Sequence, residues 1–188
     1  MKNLLKMFAL MAILFAVSMP ADAQLGNLVK KVNKGLDKIT TKADVATGQA
    51  TQQENGVIVM NPVRKSMAVE VVEAIGRSTS ENFGDVELVL RVNVKEPVNS
   101  IALCGSWGQG KTQAFDADGN VYQTEYPSVS KRYDVTEGLP IKIVVKPFLK
   151  VHKSAIQFAV VKLVAKCGEA SGEMTLKNVP ITWDPEEE

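Results

Sequence analysis

Histidine is almost missing from this chain of 188 residues: there is one, His152. Zinc sites and Ser-His or Cys-His catalysis need that single imidazole to meet specific partners, and Val151-His152-Lys153 reads as a loop tip after Pro147. Cysteine is scarce as well, with two residues, Cys104 and Cys167, so one intramolecular pairing exists. Aromatic residues make up 6% of the chain, too few for an extended sugar-binding groove. Neither sign of charge is in excess, with 22 Lys and Arg against 21 Asp and Glu. Such a balance lacks the broad field that draws nucleic acid or anionic lipid, so no nucleic-acid partner is expected. The apolar run from Met7 to Ser18 is too short to span a bilayer.

That run does suit the core of a signal peptide. Lys2 and Lys6 precede it, Pro20 breaks it, and Ala21-Asp22-Ala23 offers the small-x-small pattern of a cleavage site. Residues 1–23 are therefore expected to be a signal peptide and Gln24 the first mature residue, which places the protein in the periplasm or outside the cell. No cysteine follows the cut, so no lipid attachment is expected there. The leader carries Lys2, Lys6 and Asp22, so the mature chain has equal numbers of basic and acidic residues. Its 165 residues suffice for one domain and an extension.

Residues 24–56 read as that extension. Leu25, Leu28, Val29, Val32, Leu36 and Ile39 recur at helical spacing, with Lys30, Lys31, Lys34 and Lys38 off the stripe. Gly35 weakens the helix, and a helix this short needs a surface to lie on. The surface is its own domain, a partner, or a membrane contacted peripherally through residues 25–39. Thr40 to Gly56 follows as a polar linker without apolar period.

From Val57 the period changes to two. Met67, Val69 and Val71 alternate with Ala68, Glu70 and Val72. Val86, Leu88, Leu90, Val92 and Val94 alternate with Glu87, Val89, Arg91 and Asn93. Ser100 to Cys104 is a short buried run. Ile141, Ile143 and Val145 form another alternation that Pro147 closes. Ala159, Val161, Leu163, Ala165 and Cys167 share one face, and Met174 and Leu176 oppose Thr175 and Lys177. Turn signals separate the runs at Asn82-Phe83-Gly84, Asp118-Gly119-Asn120, Glu137-Gly138 and Gly168 to Gly172. Short strands at this spacing predict an all-β protein, an antiparallel β-sandwich over residues 57–183, with Trp183 over a sheet edge and residues 184–188 as an acidic tail.

Three pieces carry a resemblance: Val69 to Ala74, Val86 to Val94, and the hairpin Ala114 to Tyr122. Together they resemble small exported domains of Bacteroidetes-type bacteria with an immunoglobulin-like sandwich and no settled activity. The resemblance covers residues 57–183 and implies a fold while leaving function open. Cys104 and Cys167 fall on separate core strands, much as the bridged cysteines of immunoglobulin domains do. A bridge closing this loop would contribute about 4 kcal/mol on the chain-entropy estimate; the alternative is two small buried core residues.

Several motifs invite a chemical reading. Gly105-Ser-Trp-Gly-Gln-Gly-Lys111-Thr112 matches G-x-x-x-x-G-K-T, in which Lys111 would reach phosphates and Thr112 a magnesium ion. That chemistry needs a helix directly after the loop, whereas Gln113 to Tyr122 holds an Asp-Gly-Asn turn. Asp116-Ala-Asp118-Gly119-Asn120 has half of a calcium loop, but the twelfth position is Ser128 where a bidentate Glu is required. A hairpin turn explains the same residues. Trp107, flanked by glycine-rich chain, either folds back to cap the open end of the sandwich or offers a flat platform for a sugar ring or an apolar patch. With Gln109, Lys111 and Tyr126 it makes up the candidate contact set. The expectation is an exported protein that binds or serves structurally, without catalysis, cofactor or metal, its partner an envelope protein or a glycan. The competing class is a hydrolase using Cys104 and His152, or a nucleotide-dependent enzyme using residues 105–112.

Overall fold

The computed structural model describes Val45 and residues 48–103, 112–124 and 131–184, omitting the side chain of Lys131. The predicted helix, and with it the proposed membrane contact through residues 25–39, lies outside the described residues. So do the acidic residues 185–188.

Twelve strands are described: β1 (Thr51–Gln52), β2 (Ile58–Met60), β3 (Met67–Ser78), β4 (Phe83–Val94), β5 (Ser100–Leu103), β6 (Gln113–Phe115), β7 (Val121–Gln123), β8 (Lys131–Asp134), β9 (Ile141–His152), β10 (Gln157–Cys167), β11 (Ala170–Pro180) and β12 (Thr182–Trp183). They form two sheets. One runs β1-β2-β11-β10-β5-β8, with β6 also on β10 and β7 on β6; the other runs β12-β3-β4-β9. The order β3-β4-β9 facing β11-β10-β5-β8 is that of an immunoglobulin-like sandwich, and the protein is an all-β sandwich.

Alternation explains the layers. Val86, Leu88, Leu90, Val92 and Val94 of β4 point inward and are at most 1% exposed. Val161, Leu163, Ala165 and Cys167 of β10 and Met174 and Leu176 of β11 face them from the other sheet. Each fully buried apolar side chain of this size contributes roughly 1.5–3 kcal/mol. Towards one end the core turns aromatic: Phe148 meets Phe158 edge-on at 5.2 Å, and Tyr122 lies 6.0 Å from Phe158.

The outer face of the smaller sheet carries charge pairs instead. Arg91 meets Glu70 at 3.2 Å, Lys142 meets Glu73 at 3.5 Å, and Arg77 meets Glu87 at 3.6 Å. All three pairs are well exposed, so each contributes little to stability.

Three strand limits differ from the sequence expectation. The sheet begins at Thr51, inside the segment read as linker, because Gln53 and Asn55 have a structural task. Val71 donates its backbone N–H to Gln53 Oε1 at 3.3 Å, and Asn55 Nδ2 donates to the Val71 carbonyl at 3.4 Å. Asn61 Nδ2 likewise donates to the Met67 carbonyl at 2.7 Å. These amides cover the edge of β3, which otherwise pairs only with the two residues of β12. β9 does not stop at Pro147. It continues to His152 through two register shifts against β4, and Pro147 sits in one of them, where no ladder N–H is required. On β10 the inward set starts at Phe158 and resumes at Val161, while Ala159 is only partly covered.

Phe158 is the side chain that both other rings of this end meet. Phe158→Ala is expected to lower the unfolding free energy by about 3–5 kcal/mol, measured by urea denaturation with the slope unchanged.

Candidate functional site

β10 acts as a ruler for the strands beside it. Leu103 of β5 pairs with Ala165 and Gln113 of β6 pairs with Lys162, so ten residues of chain span three positions on β10. Seven residues are thus surplus to the ladder. The next strand line repeats the interruption. Gln123 of β7 pairs with Gln113, and Lys131 of β8 pairs with Leu103, so eight residues cover the same step. β5–β6 and β7–β8 are the two arms of one long hairpin. On both arms the described pairing stops at the same level and resumes at the same level.

The candidate contact residues belong to these two excursions: Trp107, Gln109 and Lys111 to the first, Tyr126 to the second. All four lie outside the described residues, as does Cys104, but the roots of both segments are ladder partners. At one root Thr112 is 3% exposed, and its hydroxyl has no hydrogen-bond partner among the described residues.

The chain after Thr112 decides one question. A phosphate-binding loop requires a helix there, with parallel strands around it. Gln113–Phe115 is instead a strand, antiparallel to β10 and to β7. The G-x-x-x-x-G-K-T match therefore lacks the helix N-terminus that its chemistry depends on.

Asp116 to Asn120 forms the turn between β6 and β7. The Asp116 carboxylate is buried and accepts four hydrogen bonds. They come from the backbone N–H of Asp118 and of Asn120, both at 2.9 Å, from Asn120 Nδ2 at 2.8 Å, and from Tyr122 Oη at 2.7 Å. Gly119 takes the left-handed conformation that the turn needs, at φ 88°. Burial pulls the Asp116 acidity weaker, but the bonds from Asn120, Tyr122 and the two backbone amides outweigh it and hold the carboxyl below its ordinary value. Tyr122 moves the other way, pushed up to about 12 by burial, by its hydrogen bond to Asp116 and by the Asp116 charge. Both carboxylate oxygens are thus engaged within the hairpin, which ties the turn to the aromatic end of the core. No group of three or more His, Cys, Asp or Glu is placed to hold a metal among the described residues.

His152 lies at the end of β9 beside the turn, rather than at a loop tip. It is exposed, its ring meets Phe83 edge-on at 5.3 Å, and its Nδ1 is 2.7 Å from Ser154 Oγ and 3.2 Å from the Ser154 N–H. This side-chain link closes a two-residue turn. It needed only the spacing His-x-Ser, which the sequence reading passed over.

Of the two alternatives for Cys104 and Cys167, the bridge is not formed: Cys167 is a free, buried thiol. Topology gives the reason. Immunoglobulin domains join their two sheets through cysteines on strands that correspond to β4 and β10, and every inward position of β4 is Val or Leu. Cys104 follows β5, a neighbour of β10 in the same sheet. Cys167 faces Ile101 there, and β5 then runs away from it, reaching Ala165 at Leu103. Cys167 Sγ instead lies 3.9 Å from the Ser66 carbonyl. Burial and the nearby Glu96 raise its pKa.

No family model, curated protein or solved structure matches this chain.

Two outcomes follow from these side chains. Asp116→Asn should lose about 1–3 kcal/mol at neutral pH, read by denaturant unfolding. The stability supplied by a carboxyl of lowered pKa is present above the unfolded-chain value of 3.8 and disappears as pH falls through the folded value. The gap between wild type and Asp116→Asn should therefore close below pH 3.8. For the thiol, Cys167 should resist alkylation in the native protein and react after denaturation. Intact mass should not change on reduction alone.

Proposed function

We propose that this protein is an exported, non-catalytic β-sandwich of the cell envelope that works by binding or structural association, with the paired excursion as its contact surface. The observation that carries the reading is the ladder arithmetic on β10. The described pairing of two adjacent strand lines is interrupted at one level, so the segment with Trp107, Gln109 and Lys111 and the segment with Tyr126 start from neighbouring ladder positions. A rigid sheet that holds two loops side by side is a common way to present contact residues. The unpartnered Thr112 hydroxyl at that root adds support, since a buried hydroxyl left unpaired costs about 1–3 kcal/mol and marks a place where a ligand can supply the bond. Export rests on the leader pattern of residues 1–23. The partner fitting an indole and a phenol set among glycine, glutamine and lysine is an envelope protein or a glycan.

The test is capture from envelope extract by the wild-type chain and by a Trp107→Ala/Tyr126→Ala variant. The variant should lose the partner at least tenfold while its melting temperature stays within a degree or two of wild type. Millimolar ATP with magnesium should leave the melting temperature unchanged. A rise of several degrees with the nucleotide would overturn the reading.

A further inference from the structure

After β11 ends at Pro180 the chain crosses from the larger sheet to the smaller one. Ile181 is buried, and its N–H donates to the Ile156 carbonyl at 2.9 Å. Thr182 and Trp183 then run parallel to β3, opposite Ile75 and Gly76. The Asp184 N–H donates to the Gly76 carbonyl at 2.8 Å, and Arg77 meets the Asp184 carboxylate at 3.8 Å. These few contacts hold a strap, Ile181 to Asp184, against the edge of β3.

The strap is keyed by one side chain. The Trp183 indole lies over Gly76 of β3 and Gly84 of β4, and Nε1 donates to the Ala155 carbonyl at 3.0 Å. A Cβ at Gly76 would stand 2.2 Å from the ring, and one at Gly84 would stand 2.5 Å from it. Neither glycine has positive φ, so the backbone does not require them. Space does. At Gly76 the three nearest atoms all belong to Trp183, whereas at Gly84 the Arg77 carbonyl also approaches, at 2.4 Å. Gly76 is thus a notch cut for the indole alone.

We propose that this notch and the β3 edge beside it form a strand-recognition site, filled by the chain's own strap in the closed form, and that its second occupant is the same segment of another copy. Every copy carries both the key and the notch, so an exchanged strap makes the contacts of the closed form unchanged. Exchange forfeits only the high local concentration of a tethered segment, on the order of millimolar. The rest of the described β3 edge is guarded, since Gln53, Asn55 and Asn61 bond to Val71 and Met67. The strap's place is where another backbone can enter. This inference stands apart from the excursion surface and does not rely on it.

Trp183→Ala removes the key and leaves the notch. Gly76→Ala fills the notch and leaves the key. By sedimentation velocity each variant should be monomeric, while an equimolar mixture at several hundred micromolar should form a heterodimer. A peptide spanning residues 179–188 should raise the melting temperature of Trp183→Ala and leave that of Gly76→Ala unmoved. The same peptide with Ala in place of Trp should do nothing. A folded Trp183→Ala chain that ignores the first peptide, or answers both alike, overturns the proposal. If Trp183→Ala does not fold, wild type and Gly76→Ala decide. A dimer near millimolar wild type that Gly76→Ala abolishes supports exchange, and equal association, or none in either, overturns it.

Discussion

β10 is one unbroken strand, and the segments that pair with its far edge are not. Its inward side chains fix it in the core, and its hairpin with β11 keeps one register from Gln157 to Cys167. Buried backbone groups on both of its edges need partners. β5 and β6 together satisfy that need on one side, but they bring more residues than the ladder has places for. β7 and β8, which pair with those segments, are interrupted at the same level.

The same constraint separates what could be read in the sequence from what could not. Strands whose inner and outer faces differ in polarity, such as β4 and β9, announce themselves by alternation, because each residue's burial is set locally. Gln53 and Asn55 looked like linker because their role is to bond the backbone of β3, a long-range contact that leaves no periodic mark. Pro147 looked like a terminator because proline breaks a ladder; on an edge strand with a bulge it breaks nothing. Deciding between a bridge and two separate core thiols at Cys104 and Cys167 required knowing which strands face each other across the core and which lie side by side. Alternation tells inside from outside, and it does not tell neighbour from opposite.

The glycine-lysine-threonine stretch shows how a motif draws its meaning from the element that follows it. Eight residues match a phosphate-binding pattern by letter, yet the backbone amides of such a loop bind anions only when a helix end gathers them. Here the chain re-enters a strand, whose amides point alternately to either side. The Asp-Gly-Asn turn behaves in the opposite way. Its residues were legible as a hairpin, but the hydrogen bond from Tyr122 to Asp116 was not, although only six residues separate the two. A tyrosine two positions past a turn has many partners available in an open sheet. It finds this one because Phe158 occupies the core beside it.

Gly76 carried no turn signal and interrupted a good strand, whereas Gly84 read as part of the Asn82-Phe83-Gly84 turn. Their reason appears only when the chain end returns. Trp183 was expected over a sheet edge, and it is there, but the edge had to be cleared of side chains at Gly76 of β3 and Gly84 of β4 to receive it. That pairing sets the strap on the β3 side of the smaller sheet, next to the β1–β2 turn. The excursions arise on the opposite side of the sandwich, where β7 bridges towards β9 through Thr124 and Phe148. The two seams are thus closed by different means, amide side chains and a removable strap at one, a ladder of interrupted strands at the other.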